Sequence, residues 1–301
     1  MESPDPRLAE LTAERHHRMS LGYRMLGTVA DAEDAVQETY ARWYRMTPDE
    51  RDAIEVPRAW LTRVAGRVCL DMLGTARARR EHYVGEWLPE PVPGTTFALD
   101  GPASDPLDRV TLDDSVSTAL LIVLESLTPA ERVAFVLHDV FAVPFPEIAE
   151  IVGRTADACR QLATSARRRI REHRSAEVAT ARHDSVVQAF VAACTSGDLA
   201  ALVTVLDPDV VLRSDGGGLV SAARNPVRGA LNVARFLLGI LSKEPGMEVT
   251  LRESANGMSL VARVGGTLLS VVDLGVAREH DAISDVWIMM NPEKLTLWGA
   301  E

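Results

Sequence analysis

The chain has little cysteine, no long apolar run and no internal repeat, and each absence removes a class of protein. Its three cysteines among 301 residues, Cys69, Cys159 and Cys194, are far apart, odd in number and outside any CxxC spacing. That argues against a disulfide framework or a structural zinc site and leaves each as a small, buried side chain. The most apolar stretch, VSTALLIVL at 116–124, falls short of the ~18 residues a membrane span requires. The N-terminal MESPDPRLAELTAERHHR carries charge where a secretory signal would be apolar, so a cytoplasmic protein is expected. No residue spacing calls for a metal or a cofactor. What is present suffices for two domains or three small ones, since 47% of the residues are hydrophobic.

Proline and glycine divide the chain. Residues 81–111 carry Pro89, Pro91, Pro93, Pro102 and Pro106, too many for a helix, and read as an extended linker. Glu81, Glu86, Glu90, Asp100, Asp105 and Asp108 make that linker acidic. Residues 8–80 before it and 112–174 after it are helix-like. Beyond 180 come two helical stretches, 183–206 and 227–242, and then the β-rich runs MEVTLRE, MSLVARV, TLLSVVDLGV and AISDVWIMM. That order predicts an α+β domain with helices packed on an antiparallel sheet.

The net charge is −11, yet residues 154–174, RTADACRQLATSARRRIREHR, hold seven arginines against one aspartate and one glutamate. At 100° per residue Cys159, Leu162, Ala163, Ala166 and Ile170 form one apolar stripe. Asp157, Arg160, Gln161, Thr164, Arg167, Arg168 and Arg171 cover the opposite face, and Thr155 is placed to cap the helix. Upstream, PFPEIAEIVG (144–153) is a short amphipathic helix closed by Gly153. Thr128, Pro129 and Glu131 form a capping box that opens a supporting helix expected to run through Phe141. Two helices joined by a three-residue turn, the second basic on its free face, make a helix-turn-helix suited to phosphates and base edges. Arg154, Thr155, Arg160, Gln161, Thr164, Arg167, Arg168 and Arg171 are its candidate DNA contacts.

The N-terminal half alternates charge. In DAEDAVQETYARWYR (31–45), Val36, Thr39, Tyr40 and Trp43 share one face, and Asp34, Gln37, Glu38 and Ala41 lie opposite. That acidic face is either solvated or a dock for a basic protein surface. The following PRAWLTRVAGRVCLDMLGTARARRE (57–81) is basic instead.

These stretches, with LTPAERVAFVLHDVF, resemble the bacterial sigma factors of the extracytoplasmic-function (ECF) type over roughly residues 8–174. The resemblance implies a region 2 helical bundle (1–80), a linker (81–111) and a region 4 helix-turn-helix (112–176), with core RNA polymerase and promoter DNA as partners. Asp31, Glu33, Asp34, Gln37 and Glu38 would contact the polymerase. Arg63, Arg67, Arg77, Arg79 and Arg80 would act at the minus-ten element, and region 4 would read the minus-thirty-five element. Arg67 stands where the family's WLxxIAxN pattern has asparagine.

WLPEP (Trp87, Leu88, Pro89, Glu90, Pro91), Asp215-Gly216-Gly217-Gly218 and Asn291-Pro292-Glu293-Lys294-Leu295 resemble motifs of the subgroup that carries a C-terminal SnoaL-like, cone-shaped α+β domain, here residues 182–301. The resemblance implies a fused regulator acting through contacts within the chain, with an unidentified small molecule as a further partner. Two alternatives stay open, a helix-turn-helix regulator with a ligand domain and an enzymatic SnoaL-like domain. For the latter Asp215, Asp273, Asp285, His183 and His280 are candidate bases by type alone, although an aspartate before three glycines is ordinarily a turn former.

Overall fold

The computed structural model describes residues 6–81, 83–94, 96, 117–173, 180–255, 257–277 and 281–299, with backbone alone for 6–14, 76–81, 173 and 180–181. The chain divides into two compact units. The first holds residues up to 81 and 120–173; the second holds the described parts of 82–96, 117–119 and 174–301.

The first unit is helical. It contains α1 (Pro6–Leu26), α2 (Val29–Arg45), α3 (Pro48–Asp52), α4 (Pro57–Glu81), most of α5 (Thr118–Glu125), α6 (Pro129–Phe135), α7 (Phe145–Val152) and α8 (Ala156–His173). Each start has a local cause. Thr28 caps α2 by accepting from the Asp31 N–H, and Thr47 and Thr128 form capping boxes with Glu50 and Glu131. Helix α2 buries Ala32, Ala35, Val36, Thr39 and Trp43, and Trp43 meets Trp60 of α4 edge to face at 5.2 Å. Helices α1 and α2 approach closely at Gly22, where a Cβ would lie 3.0 Å from the Ala32 Cα. The helix expected through Phe141 changes character. Its α-form ends at Phe135, and a π-helical turn follows at Val136–Val140, in which the Phe141 N–H reaches back five residues to the Val136 carbonyl.

The second unit sets α9 (Thr180–Ser196), α10 (Leu199–Val205) and α11 (Ala230–Lys243) against one face of a six-stranded sheet, an α+β layering. The strands are β1 (Leu206–Asp215), β2 (Val227–Arg228), β3 (Met247–Ser254), β4 (Gly257–Val264), β5 (Thr267–Val276) and β6 (Ile283–Met289), in the order β2-β1-β6-β5-β4-β3. Val187, Phe190, Leu202, Val233 and Leu237 from the helices pack on Leu212, Leu260, Leu274, Val286 and Ile288 of the sheet. Burial of each such side chain stabilises the unit by about 1.5–3 kcal/mol.

Two expectations need correction. The helical stretch 183–206 is two helices, broken at Gly197 (φ 67°) and restarted by the Asp198 cap. The sheet is mixed rather than antiparallel, because β1 runs parallel to β6. Strand β1 runs through Asp207-Pro208-Asp209, and its pairing with β6 shifts register between Leu206 and Val211.

Candidate functional site

Of the acidic residues of α2, Glu33 and Asp34, with Gln37, are exposed. Asp31 accepts from the Thr28 hydroxyl at 2.8 Å, and Glu38 accepts from Arg42 at 2.9 Å. The face that looks outward is therefore acidic on its N-terminal turns and self-paired towards its end.

On α4, Arg63 lies 3.8 Å from Glu147 and 3.6 Å from Glu150 of α7. Arg67 donates from Nη1 to the Ile151 carbonyl at 2.7 Å and lies 3.6 Å from Asp71. Between them, a Cβ on Gly66 would stand 3.0 Å from Leu137 Cδ1 of the π-helical turn and 3.5 Å from Ile151 Cδ1 of α7, so α4 packs closely there. The side chains of Arg77, Arg79 and Arg80 lie outside the described residues, as do Asp100, Asp105, Asp108, the Glu81 side chain and His280.

The helix-turn-helix is formed by α7, a left-handed Gly153 (φ 69°, ψ 40°) and α8, whose start Thr155 caps by accepting from the Ala158 N–H at 3.2 Å. Cys159, Ala163, Ala166 and Ile170 are buried. Arg154, Arg160, Gln161, Thr164, Arg168 and Arg171 are exposed. Carboxylates do reach this face, from other turns. Asp139 of the π-helical turn takes a forked pair of bonds from Arg167 at 2.7 and 3.1 Å. Arg160 pairs with Asp157 and lies over the Phe145 ring, and Arg168 approaches Glu172 at 3.8 Å.

The second unit gathers the three distant motifs on one buried carboxylate. Asp215, at the end of β1, has no exposed surface. Its Oδ1 accepts from the Tyr83 hydroxyl at 2.6 Å and the Gly217 N–H at 2.9 Å. Its Oδ2 accepts from the Leu88 N–H at 3.0 Å and Lys294 Nζ at 2.7 Å. Lys294 also donates to the Leu88 carbonyl at 2.6 Å and lies 4.2 Å from the centre of a Trp87 ring. This arrangement pairs and hydrogen-bonds a buried charge, which its burial requires. Burial and the Asp215 carboxylate push the Tyr83 phenol above its ordinary range. Asn291 donates to the Tyr83 hydroxyl at 3.0 Å and accepts from the Glu293 N–H. Gly217 (φ 64°) leaves room for Asn291, whose Cγ would be 2.5 Å from any Cβ there. Leu88, Pro89, Glu90, Pro91 and Leu295 are buried, and Pro292 and Glu293 are exposed.

Further along, Pro93 bridges Ser254 at the end of edge strand β3, with the Gly94 N–H bonded to the Glu253 carbonyl and the Ala255 N–H to that of Val92. Trp298 donates from Nε1 to the Pro91 carbonyl at 2.9 Å. The start of α5 is held as well. Thr118 donates to Asp273 Oδ2 at 2.6 Å, and the Asp273 carboxylate also accepts from Ser259. Burial raises the Asp273 carboxyl, against the pull of these hydroxyls and of His183. Tyr83, Trp298 and Thr118 also make these contacts, and no motif in the sequence marks them.

The candidate bases are taken up in structural contacts. Asp285 faces Arg213 at 3.3 Å, and His183 Nε2 bonds to the Leu274 carbonyl at 3.0 Å. Among the described residues no cluster of His, Cys, Asp or Glu is arranged to hold a metal, and no helix is long and apolar enough to cross a membrane.

The sequence matches the Sigma-70 region 2 family over residues 12–79 and the Sigma-70 region 4 family over 117–170. It is 41% identical to the ECF RNA polymerase sigma factor SigJ of Mycobacterium tuberculosis, an alignment that covers 96% of this chain and 93% of that one. It is 38% identical to a probable ECF sigma factor, SigI, of the same species, over 100% of this chain and 99% of the other. The crystal structure of Mycobacterium tuberculosis SigJ superposes with a TM-score of 0.75 at 36% identity, covering 97% of this chain and 99% of that chain.

Proposed function

Because the chain belongs to the ECF RNA polymerase sigma factors, we propose that its sheet-bearing unit governs initiation by holding the chain near the start of the linker and again at the start of α5. A sigma factor of this family binds core RNA polymerase and directs promoter-specific transcription initiation; it is a transcription regulator rather than an enzyme. Within that role the acidic face of α2, Glu33, Asp34 and Gln37 foremost, docks on the polymerase. Arg63 and Arg67 of α4 act at the minus-ten element, where binding unpaired bases by arginines and aromatic rings lowers the cost of melting. Arg160 and Gln161, near the start of α8, read base edges of the minus-thirty-five element, and Arg154, Arg168 and Arg171 meet phosphates.

The observation that carries the regulatory reading is the pair of anchors on one sheet. Asp215 holds Tyr83 and Leu88 near the start of the linker, and Asp273 holds Thr118, at the start of α5 beyond the linker. With the chain held at both points, regions 2 and 4 stay tethered close together, which suits the contacts of Arg63 and Arg67 with α7. Promoter binding needs those arginines free, so release of the linker and separation of α4 from α7 belong to one transition. The unit biases that transition only to the extent that it binds the held linker better than the released one.

Run-off transcription with core polymerase tests this reading. The native chain should initiate at its promoter, and Asp215→Ala or Asp273→Ala should shift the output relative to it. Output identical in both variants and in a chain ending at 181 overturns the regulatory role, and no promoter-specific product in any of them overturns the DNA and polymerase assignments.

A further inference from the structure

Resting on the linker regulation just proposed, we infer that a cleft between the linker and the glycine loop binds a small amphipathic acid, an apolar body bearing one carboxylate or sulfonate, and that this ligand keeps the linker docked. The cleft has a volume of about 300 Å³, at the small end of ligand pockets. The linker forms one wall with Val84 and Gly85; Ser214 and Gly216 form the floor; Leu219, Val220 and Arg224 of the following loop form the other wall.

Three features of this cleft point to the same ligand chemistry. Large apolar side chains stand in solvent at its rim, with Val84 59%, Leu219 62% and Val220 41% exposed. They offer an apolar body a surface that the fold leaves uncovered. Arg224 is the one charged residue in the lining and has no ion pair among the described residues. No carboxylate lines the cleft, and nearby Asp215 is neutralised by Lys294. An anionic head therefore finds a free guanidinium and no repelling charge, although residues 182–301 carry fourteen acidic against ten basic residues.

Glycine keeps the cleft open. A Cβ on Gly216 would lie 2.4 Å from the Val220 carbonyl oxygen, and one on Gly218 (φ 73°) 3.1 Å from the Val84 Cβ. Any side chain there distorts the loop or displaces the linker wall. That wall follows directly on Tyr83 and precedes Leu88 by four residues, so Val84 is in place only while the Asp215 anchors are made. A ligand that touches Val84 on one side and Leu219 and Arg224 on the other binds the docked linker better than the released one, and by linkage stabilises it.

The test uses the full chain and 8-anilinonaphthalene-1-sulfonate, whose sulfonate and aromatic body match this chemistry. Saturable one-to-one binding is expected. Arg224→Ala, and Ser221→Trp, which fills the cleft from its exposed rim, should each weaken it about tenfold, the loss of one charge-assisted contact or its equivalent. The uncharged N-phenyl-1-naphthylamine should bind more weakly by a similar factor. Saturating probe should slow cleavage by glutamyl endopeptidase after Glu86. Affinity that neither substitution changes, or that is equal for the charged and uncharged probes, places binding elsewhere and overturns the site. Binding that responds to both substitutions while Glu86 is cut at an unchanged rate overturns the coupling to the linker. None of these readouts involves polymerase, so a failure of the regulatory reading in run-off transcription is distinguishable from a failure of the cleft.

Discussion

Thr118, the first residue of α5, donates its hydroxyl to the buried carboxylate of Asp273 on β5 at 2.6 Å, across 155 positions of sequence. The bond joins the start of the region 4 helices to the same sheet that holds Leu88 through Asp215.

The Asp273 contact should depend on pH. Burial raises this carboxyl above its ordinary 3.8. A group with a raised folded value contributes stability that is fully present below the unfolded value and is lost as pH rises through the folded one. Asp273→Asn removes the ionisation while its amide oxygen still accepts from Thr118. Its thermal midpoint relative to the native chain should therefore improve as pH rises above the ordinary carboxyl value of 3.8. Parallel curves would remove the claim that burial raises Asp273.

Lys294→Met should be severe, because it leaves the Asp215 carboxylate buried without its cation. A loss of about 3–5 kcal/mol is expected for breaking such a pair from one side. Hydrogen exchange at Leu88 and protease cutting near Glu86 should both accelerate. The double variant Asp215→Asn with Lys294→Met should recover part of the loss, since no uncompensated charge then remains.

The arginines of α8 should separate into two kinds. Arg160→Ala should cost about 1–3 kcal/mol of promoter binding and relax preference at one base position. Arg171→Ala should weaken binding evenly across sequences and reduce the salt slope by about one. Titrations on promoter variants at several salt concentrations distinguish them, and the same loss pattern for both changes would remove the base-reading role of Arg160.

Thiol chemistry offers an independent check on packing. Burial pushes the Cys69 and Cys194 thiols up to about 12. Neither should react with iodoacetamide at neutral pH while the protein is folded, because the thiolate is the nucleophile. Mass spectrometry should show modification at both once denaturant is added.

Much of this protein was determined by short-range pattern. The α8 stripe of Cys159, Ala163, Ala166 and Ile170, the Thr128 capping box and the left-handed Gly153 each depend on residues within about three helical turns of one another. Their periodicity and caps are therefore legible without a fold. The WLPEP, DGGG and NPEKL stretches were legible only as motifs. Their meeting on Asp215 required tertiary structure, because a buried carboxylate is stable only when donors from distant segments converge on it, and spacing along the chain does not encode that convergence.

Tertiary structure alone also decided the fate of the basic faces. In sequence Arg63, Arg67 and Arg167 look free, since few acids share their own helices. Their partners Glu147, Glu150, the Ile151 carbonyl and Asp139 come from other turns, and the π-helical turn that carries Asp139 has no distinct sequence pattern. The parallel β1–β6 pair was hidden for a related reason. Strand periodicity reports which residues share a face but not which strand lies alongside, and that choice was made by the packing of α9, α10 and α11 against the sheet.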